Sequence, residues 1–80
     1  MTNQPTTESR VRAVLSREGF PDDLPVSSKL CDDVGFDSLD TVEFTIALEE
    51  EFDGLLIDDE EALQWVTILD VVQYVDARKK

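Results

Sequence analysis

The sequence predicts a small all-α fold: a four-helix bundle with a long loop between helices 1 and 2 and a short third helix. Three observations carry that prediction. The chain has 80 residues, enough for one domain with one modest core. Apolar residues recur at three- and four-residue spacing in separate stretches, bounded by capping residues or glycines. No stretch alternates long enough to compete as a strand.

Residues 1–6 are polar, include Pro5, and are expected to be disordered. The first helix is expected from about Thr7 to Glu18. Val11, Val14 and Leu15 share one face, and Gly19 followed by Pro21 stops the winding. FPDDLPVSSKLCDDVGF, residues 20–36, reads as a loop too long to be left free in a compact domain. Leu24, Val26, Leu30, Val34 and Phe36 are expected to pin it to the core. The second helix should run from about Ser38 to Phe52, with Asp37 as N-cap, Asp40 reaching back as the capping-box acid, and Gly54 beyond its end. DDEEALQW, residues 58–65, predicts the short third helix, its early acids favoured by the helix dipole. Thr67 can cap a fourth helix whose stripe is Ile68, Val71, Val72 and Val75. Arg78, Lys79 and Lys80 suit its C-terminal end.

Nineteen acids against seven bases give a formal charge of -12 and a pI of about 4.1. Such a surface repels nucleic acid and steers basic partners toward itself. No base occurs from Leu30 through Ala77. MTNQPTTESR lacks the basic start and apolar run of a signal peptide, and no apolar run reaches membrane-spanning length. Cys31, the single cysteine, has no partner for an internal disulfide. A cytoplasmic protein with no membrane or nucleic-acid role is expected. Histidine is absent, so no Ser–His pair activates a hydroxyl and no imidazole holds a metal. DDVGFDSLDTVE begins and ends as a calcium loop should, but puts Val34 and Phe36 where oxygen ligands are needed. Cys31 reads as a small buried apolar residue and Trp65 as core.

The second helix carries two apolar faces. Phe44, Leu48 and Phe52, flanked by Thr41 and Thr45, form a core face. Leu39, Val42 and Ile46 form another on nearly the opposite side, bordered by Glu43, Glu49 and Glu50. The second stripe is either extra burial within the bundle or an exposed apolar strip with an acidic rim. Ser38, at the helix start, likewise has two readings. It is a helix cap, or a hydroxyl presented for a reaction that another protein must activate.

GFDSLDTVEFTIALEEEFD at 35–53, DDEEA at 58–62 and VVQYV at 71–75 resemble the acyl carrier protein family over nearly the whole chain. The Asp-Ser-Leu core alone is short. The TVEF-x-x-ALEEEF run, the acidity and the length make the match specific. The resemblance implies one acyl-carrier domain over 1–80 with no catalysis of its own. It implies that Ser38, between Asp37 and Leu39, carries 4'-phosphopantetheine, installed from coenzyme A by a phosphopantetheinyl transferase. The arm's thiol then holds acyl cargo as thioesters. It also implies a monomer that meets acyl-loading and acyl-processing enzymes with basic surfaces through Leu39, Asp40, Val42, Glu43, Ile46, Glu49 and Glu50. The bundle interior of the family can shelter an acyl chain. Three departures stand out: a longer segment at GLLI, 54–57; Trp65 in place of a smaller aliphatic residue; and Phe36 in place of a small one. They bear on whether the carrier serves fatty acid synthesis or a specialised lipid or polyketide route. The rival readings are an aminoacyl or peptidyl carrier, and an unmodified acidic interaction module with Ser38 as cap.

Overall fold

The computed structural model describes residues 6–79. Residues 1–5 of the expected disordered start, and Lys80, lie outside the described residues. Thr6 does not share the expected disorder: its hydroxyl accepts the Ser9 N–H at 3.0 Å and caps the first helix. Four α-helices follow in chain order: α1 (Thr7–Arg17), α2 (Ser38–Glu51), α3 (Asp59–Ala62) and α4 (Ile68–Arg78). A five-residue π-turn, Leu30–Val34, interrupts the long loop. No strand occurs among the described residues, only an isolated antiparallel bridge between Lys29 and Thr67.

The periodic stripes become the core. Val11, Val14 and Leu15 of α1, Phe44 and Leu48 of α2, and Ile68, Val71 and Val75 of α4 are all buried. Three polar ties brace these helices. The Thr7 hydroxyl donates to Asp76 at 2.6 Å, joining α1 to α4, and holds the Asp76 carboxyl below its ordinary value. Arg10 reaches the C-terminal end of α2, where it donates to the Glu51 carboxylate at 3.1 Å and the Glu51 carbonyl at 2.6 Å and stacks over Phe52. Arg12 donates to the carbonyls of Asp22 and Leu24, fastening the start of the loop to α1.

The loop is pinned as its apolar residues predict. Leu30, Val34 and Phe36 are buried, and Leu24 and Val26 pack at the edge of the core. The backbone adds what the sequence does not display. Leu30 N–H donates to Val66 at 2.8 Å, Ile68 N–H to Ser28 at 3.1 Å, and Leu69 N–H to Val26 at 2.8 Å. The loop is therefore laced to the start of α4.

Three local expectations change. The third helix is only four residues long, because Gln64 and Trp65 bond back to Glu61 and Ala62 at i−3 and tighten the last turn. Trp65 packs against the core but is only half-buried, edge-on to Tyr74 at 5.3 Å, and its buried Nε1 has no hydrogen-bond partner among the described residues. Cys31 is exposed, not buried, because the π-turn sends Leu30 and Val34 inward and leaves the residues between them on the outside.

Candidate functional site

The approach to Ser38 is built by the π-turn. Val34 and Gly35 N–H groups bond to the carbonyls five residues back, Lys29 and Leu30, at 3.0 and 2.9 Å. Phe36 N–H reaches Leu30 as well, at 2.8 Å. Gly35 closes the turn with φ +97°, a conformation that strains any residue with a Cβ. Phe36 is then driven inward, where its ring lies 4.6 Å from Phe20 and 5.2 Å from Phe44. A buried aromatic anchor thus sits two residues before Ser38.

Capping falls to Asp37, not to Ser38. The Asp37 carboxylate accepts Asp40 N–H at 2.8 Å, and Asp40 Oδ2 accepts Asp37 N–H at 3.1 Å, a reciprocal box. Ser38 is the first helical residue, exposed, and its hydroxyl makes no hydrogen bond among the described residues. Of the two readings of Ser38, the geometry removes the cap. What remains is an exposed hydroxyl at a helix start, with no hydrogen-bond partner among the described residues.

The second stripe of α2 is open. Leu39 is 63% exposed and Ile46 53%, with Val42 half-buried between them, while Phe44 and Leu48 on the other side are at 1% and 0%. Extra burial is therefore ruled out for this stripe. Its rim is uneven. Glu43 and Glu50 are exposed and unpaired among the described residues, whereas Glu49 is half-buried and one of its oxygens accepts the Ile57 N–H at 2.9 Å. Glu49 thus also fixes the α2–α3 connection. Asp40 gives one oxygen to the capping box. Sequence reasoning missed a further set of exposed apolar side chains, Leu56, Leu63, Val66 and Leu69. The spacing of the last three was legible, but it lay across the boundary between two helices.

Arg10 and Arg17 both pair with Glu51, and Arg78 with Glu61. The other acids from Asp37 to Glu60 have no basic side chain against them among the described residues. Charge of one sign opposes compaction. Adding millimolar magnesium or calcium, or moderate salt, is therefore expected to raise the melting temperature. A melting temperature that stayed flat or fell in a thermal-shift titration would contradict this balance.

A family model described as a phosphopantetheine attachment site matches residues 9–75. Among curated proteins, the chain is 48% identical over 60 residues to an acyl carrier protein of Campylobacter fetus subsp. fetus, covering 75% of this chain and 77% of that one. It is 47% identical over 60 residues to an acyl carrier protein of Campylobacter hominis, covering 75% of each. It is 46% identical over 59 residues to one of Wolinella succinogenes, covering 74% of this chain and 76% of that one.

Proposed function

Because the chain belongs to the acyl carrier proteins, the family of the phosphopantetheine attachment site, we propose that Ser38 is the residue on which its 4'-phosphopantetheine is carried. The protein is a carrier and not an enzyme. The group supplies a thiol on a long flexible arm, which holds acyl units as thioesters and so keeps the acyl carbon activated.

One observation supports Ser38 above all. Asp37 does the capping, so the Ser38 hydroxyl is exposed and uncommitted at a helix end that is already stable without it. The residues present fit a phosphodiester at that oxygen. The exposed position leaves room for a transferase, and the adjacent helix N-terminus favours an anion. Asp37 and Asp40 oppose it electrostatically, so the covalent bond rather than the site holds the group. The test is peptide mapping by mass spectrometry after treatment with a phosphopantetheinyl transferase and coenzyme A. One added group is expected, on the peptide containing Ser38; a group found on another residue would overturn the assignment.

The same reading takes residues 1–80 as one carrier domain, monomeric and cytoplasmic. It meets the transferase and acyl-processing enzymes through the open face of α2: Leu39, Asp40, Val42, Glu43, Ile46, Glu49 and Glu50. The exposure of Leu39 and Ile46 and the -12 charge support a partner with apolar contacts and a basic rim. Fatty acid synthesis and a specialised lipid or polyketide route both accommodate these features.

Charge reversal at Glu43 or Glu50 is expected to slow transferase loading severalfold at low salt. The difference from wild type should shrink as ionic strength rises, because rim charges act mainly on association rate. Initial rates across a salt series check this. An effect that persists unchanged in high salt would argue that these glutamates do not act through charge.

A further inference from the structure

Among the described residues, one buried side-chain donor lacks a hydrogen-bond partner: Nε1 of Trp65, the single tryptophan of the chain. Other buried polar side chains show what the fold does with such groups. The hydroxyls of Thr7, Thr41 and Thr45 donate to the Asp76 carboxylate, the Asp37 carbonyl and the Val42 carbonyl at 2.6, 3.2 and 2.6 Å. An indole N–H taken out of water without an acceptor costs free energy. A smaller aliphatic residue in place of Trp65 would carry no such cost.

The polar atoms around the ring are already engaged. The Tyr74 hydroxyl, on the ring that Trp65 meets edge-on, accepts Asp58 N–H at 3.2 Å and donates to Glu61 Oε1 at 2.8 Å. That Glu61 oxygen also faces Arg78 at 3.5 Å. Asp70 Oδ2 accepts the N–H groups of Val66 and Thr67 at 2.9 and 3.1 Å. These side chains wall an open depression of about 460 Å³ beside Trp65, but Nε1 is buried and solvent does not reach it from there. An acceptor for Nε1 therefore has to come from within the bundle, against whose core Trp65 packs.

Trp65 is within reach of a cargo carried on Ser38. Leu30 N–H donates to the Val66 carbonyl at 2.8 Å, and Phe36 N–H to the Leu30 carbonyl at 2.8 Å. Standard bond lengths along that path put the Ser38 and Trp65 Cα atoms at most about 25 Å apart. A phosphopantetheine arm has the length of an extended peptide of about five residues, about 17 Å. The thioester, the first carbons of the chain and the Trp65 side chain cover the remainder.

We propose that Trp65 Nε1 donates a hydrogen bond to an oxygen near the thioester end of the cargo, a 3-oxoacyl or 3-hydroxyacyl unit. Either oxygen accepts from an indole N–H, whereas a saturated chain leaves the donor unpaired. The proposal rests on the reading of Ser38 above. It is tested on protein loaded by a transferase from 3-oxooctanoyl-coenzyme A, carbon-13-labelled at the 3-carbonyl, and from octanoyl-coenzyme A. Intact mass and peptide mapping come first: no load, or a load on a residue other than Ser38, overturns the Ser38 reading and this proposal with it. In protein loaded on Ser38, the single indole N–H signal reports on the bond alone. Its proton is expected to move downfield, and to exchange with solvent severalfold more slowly, with the 3-oxooctanoyl cargo than with octanoyl. Trp65→Phe keeps a ring and drops the donor. In that variant the labelled carbonyl signal should return to its position in the free pantetheine thioester. An indole signal that is the same with both cargoes overturns the bond and leaves Ser38 in place. So does a carbonyl signal unmoved by Trp65→Phe when the variant's amide spectrum shows an intact fold. If the variant does not fold, the two wild-type samples decide.

Discussion

Ser38→Ala is expected to take up no phosphopantetheine under conditions that load the wild type fully, and to keep its helix content and melting temperature. The second half of that expectation is what the geometry adds. A serine that capped α2 would cost about 0.5–2 kcal/mol on replacement by alanine. Here the cap is Asp37, and Ser38 is the first helical residue with an exposed, unengaged hydroxyl. Alanine there removes no bond and is a better helix former. Asp37→Ala makes the complementary case: it removes the cap, is expected to lose about 0.5–2 kcal/mol, and keeps the hydroxyl. Intact mass and thermal melts on the two variants separate presentation from capping. If Ser38→Ala melts as badly as Asp37→Ala, the hydroxyl is structural and the proposal loses its main support.

Leu48→Ala and Ile46→Ala, two residues apart on α2, should separate folding from docking. Leu48 is fully buried in the core, so truncation is expected to cost about 2–5 kcal/mol, a large share of a small domain's stability. Ile46 is 53% exposed, and its truncation is expected to stay within about 0.5 kcal/mol of wild type. The loading assay should reverse the order. Ile46→Ala is expected to slow the transferase, with an effect that persists in high salt because it is apolar contact, whereas Leu48→Ala at a temperature where it is folded should load normally. Denaturant melts give the first ranking and initial loading rates the second. Equal destabilisation by the two substitutions would mean that the Ile46 face is packed in solution and that partners dock elsewhere.

The three longer helices and both faces of α2 were legible in the sequence because periodicity and caps coincide. Asp37 and Asp40 form the box that their spacing predicts, and Thr67 caps α4 as expected, in a box with Asp70 that was not foreseen. The alternatives at Ser38 and at Leu39, Val42 and Ile46 were not decidable there, because a wheel shows which side chains share a face and not what covers it. The π-turn was invisible for a related reason: five residues carry no period, and its carbonyl partners lie five and six residues away. That blindness produced the wrong expectation for Cys31. Trp65 does pack against the core, but less deeply than its size suggests, because the tightened turn after α3 leaves the ring at the edge against Tyr74.

The lacing of the long loop to α4 has a consequence for a chain still being made. The loop that leads to Ser38 is tied by the Val66 carbonyl and the Ile68 and Leu69 amides, nearly thirty positions later. On the ribosome, Ser38 emerges well before those partners do. A nascent chain released only as far as Trp65 has α1, α2, α3 and the Phe20–Phe36–Phe44 contact available but lacks the loop's bonds to residues 66–69, so its Gly35 and Phe36 amides should exchange faster than in the full chain. A fragment ending at residue 65 is expected to show that exchange, and the full chain protection; protection in the fragment would refute the dependence. The approach to Ser38 is therefore completed only when residues 66–69 are in place, which would defer recognition of the serine until they have emerged.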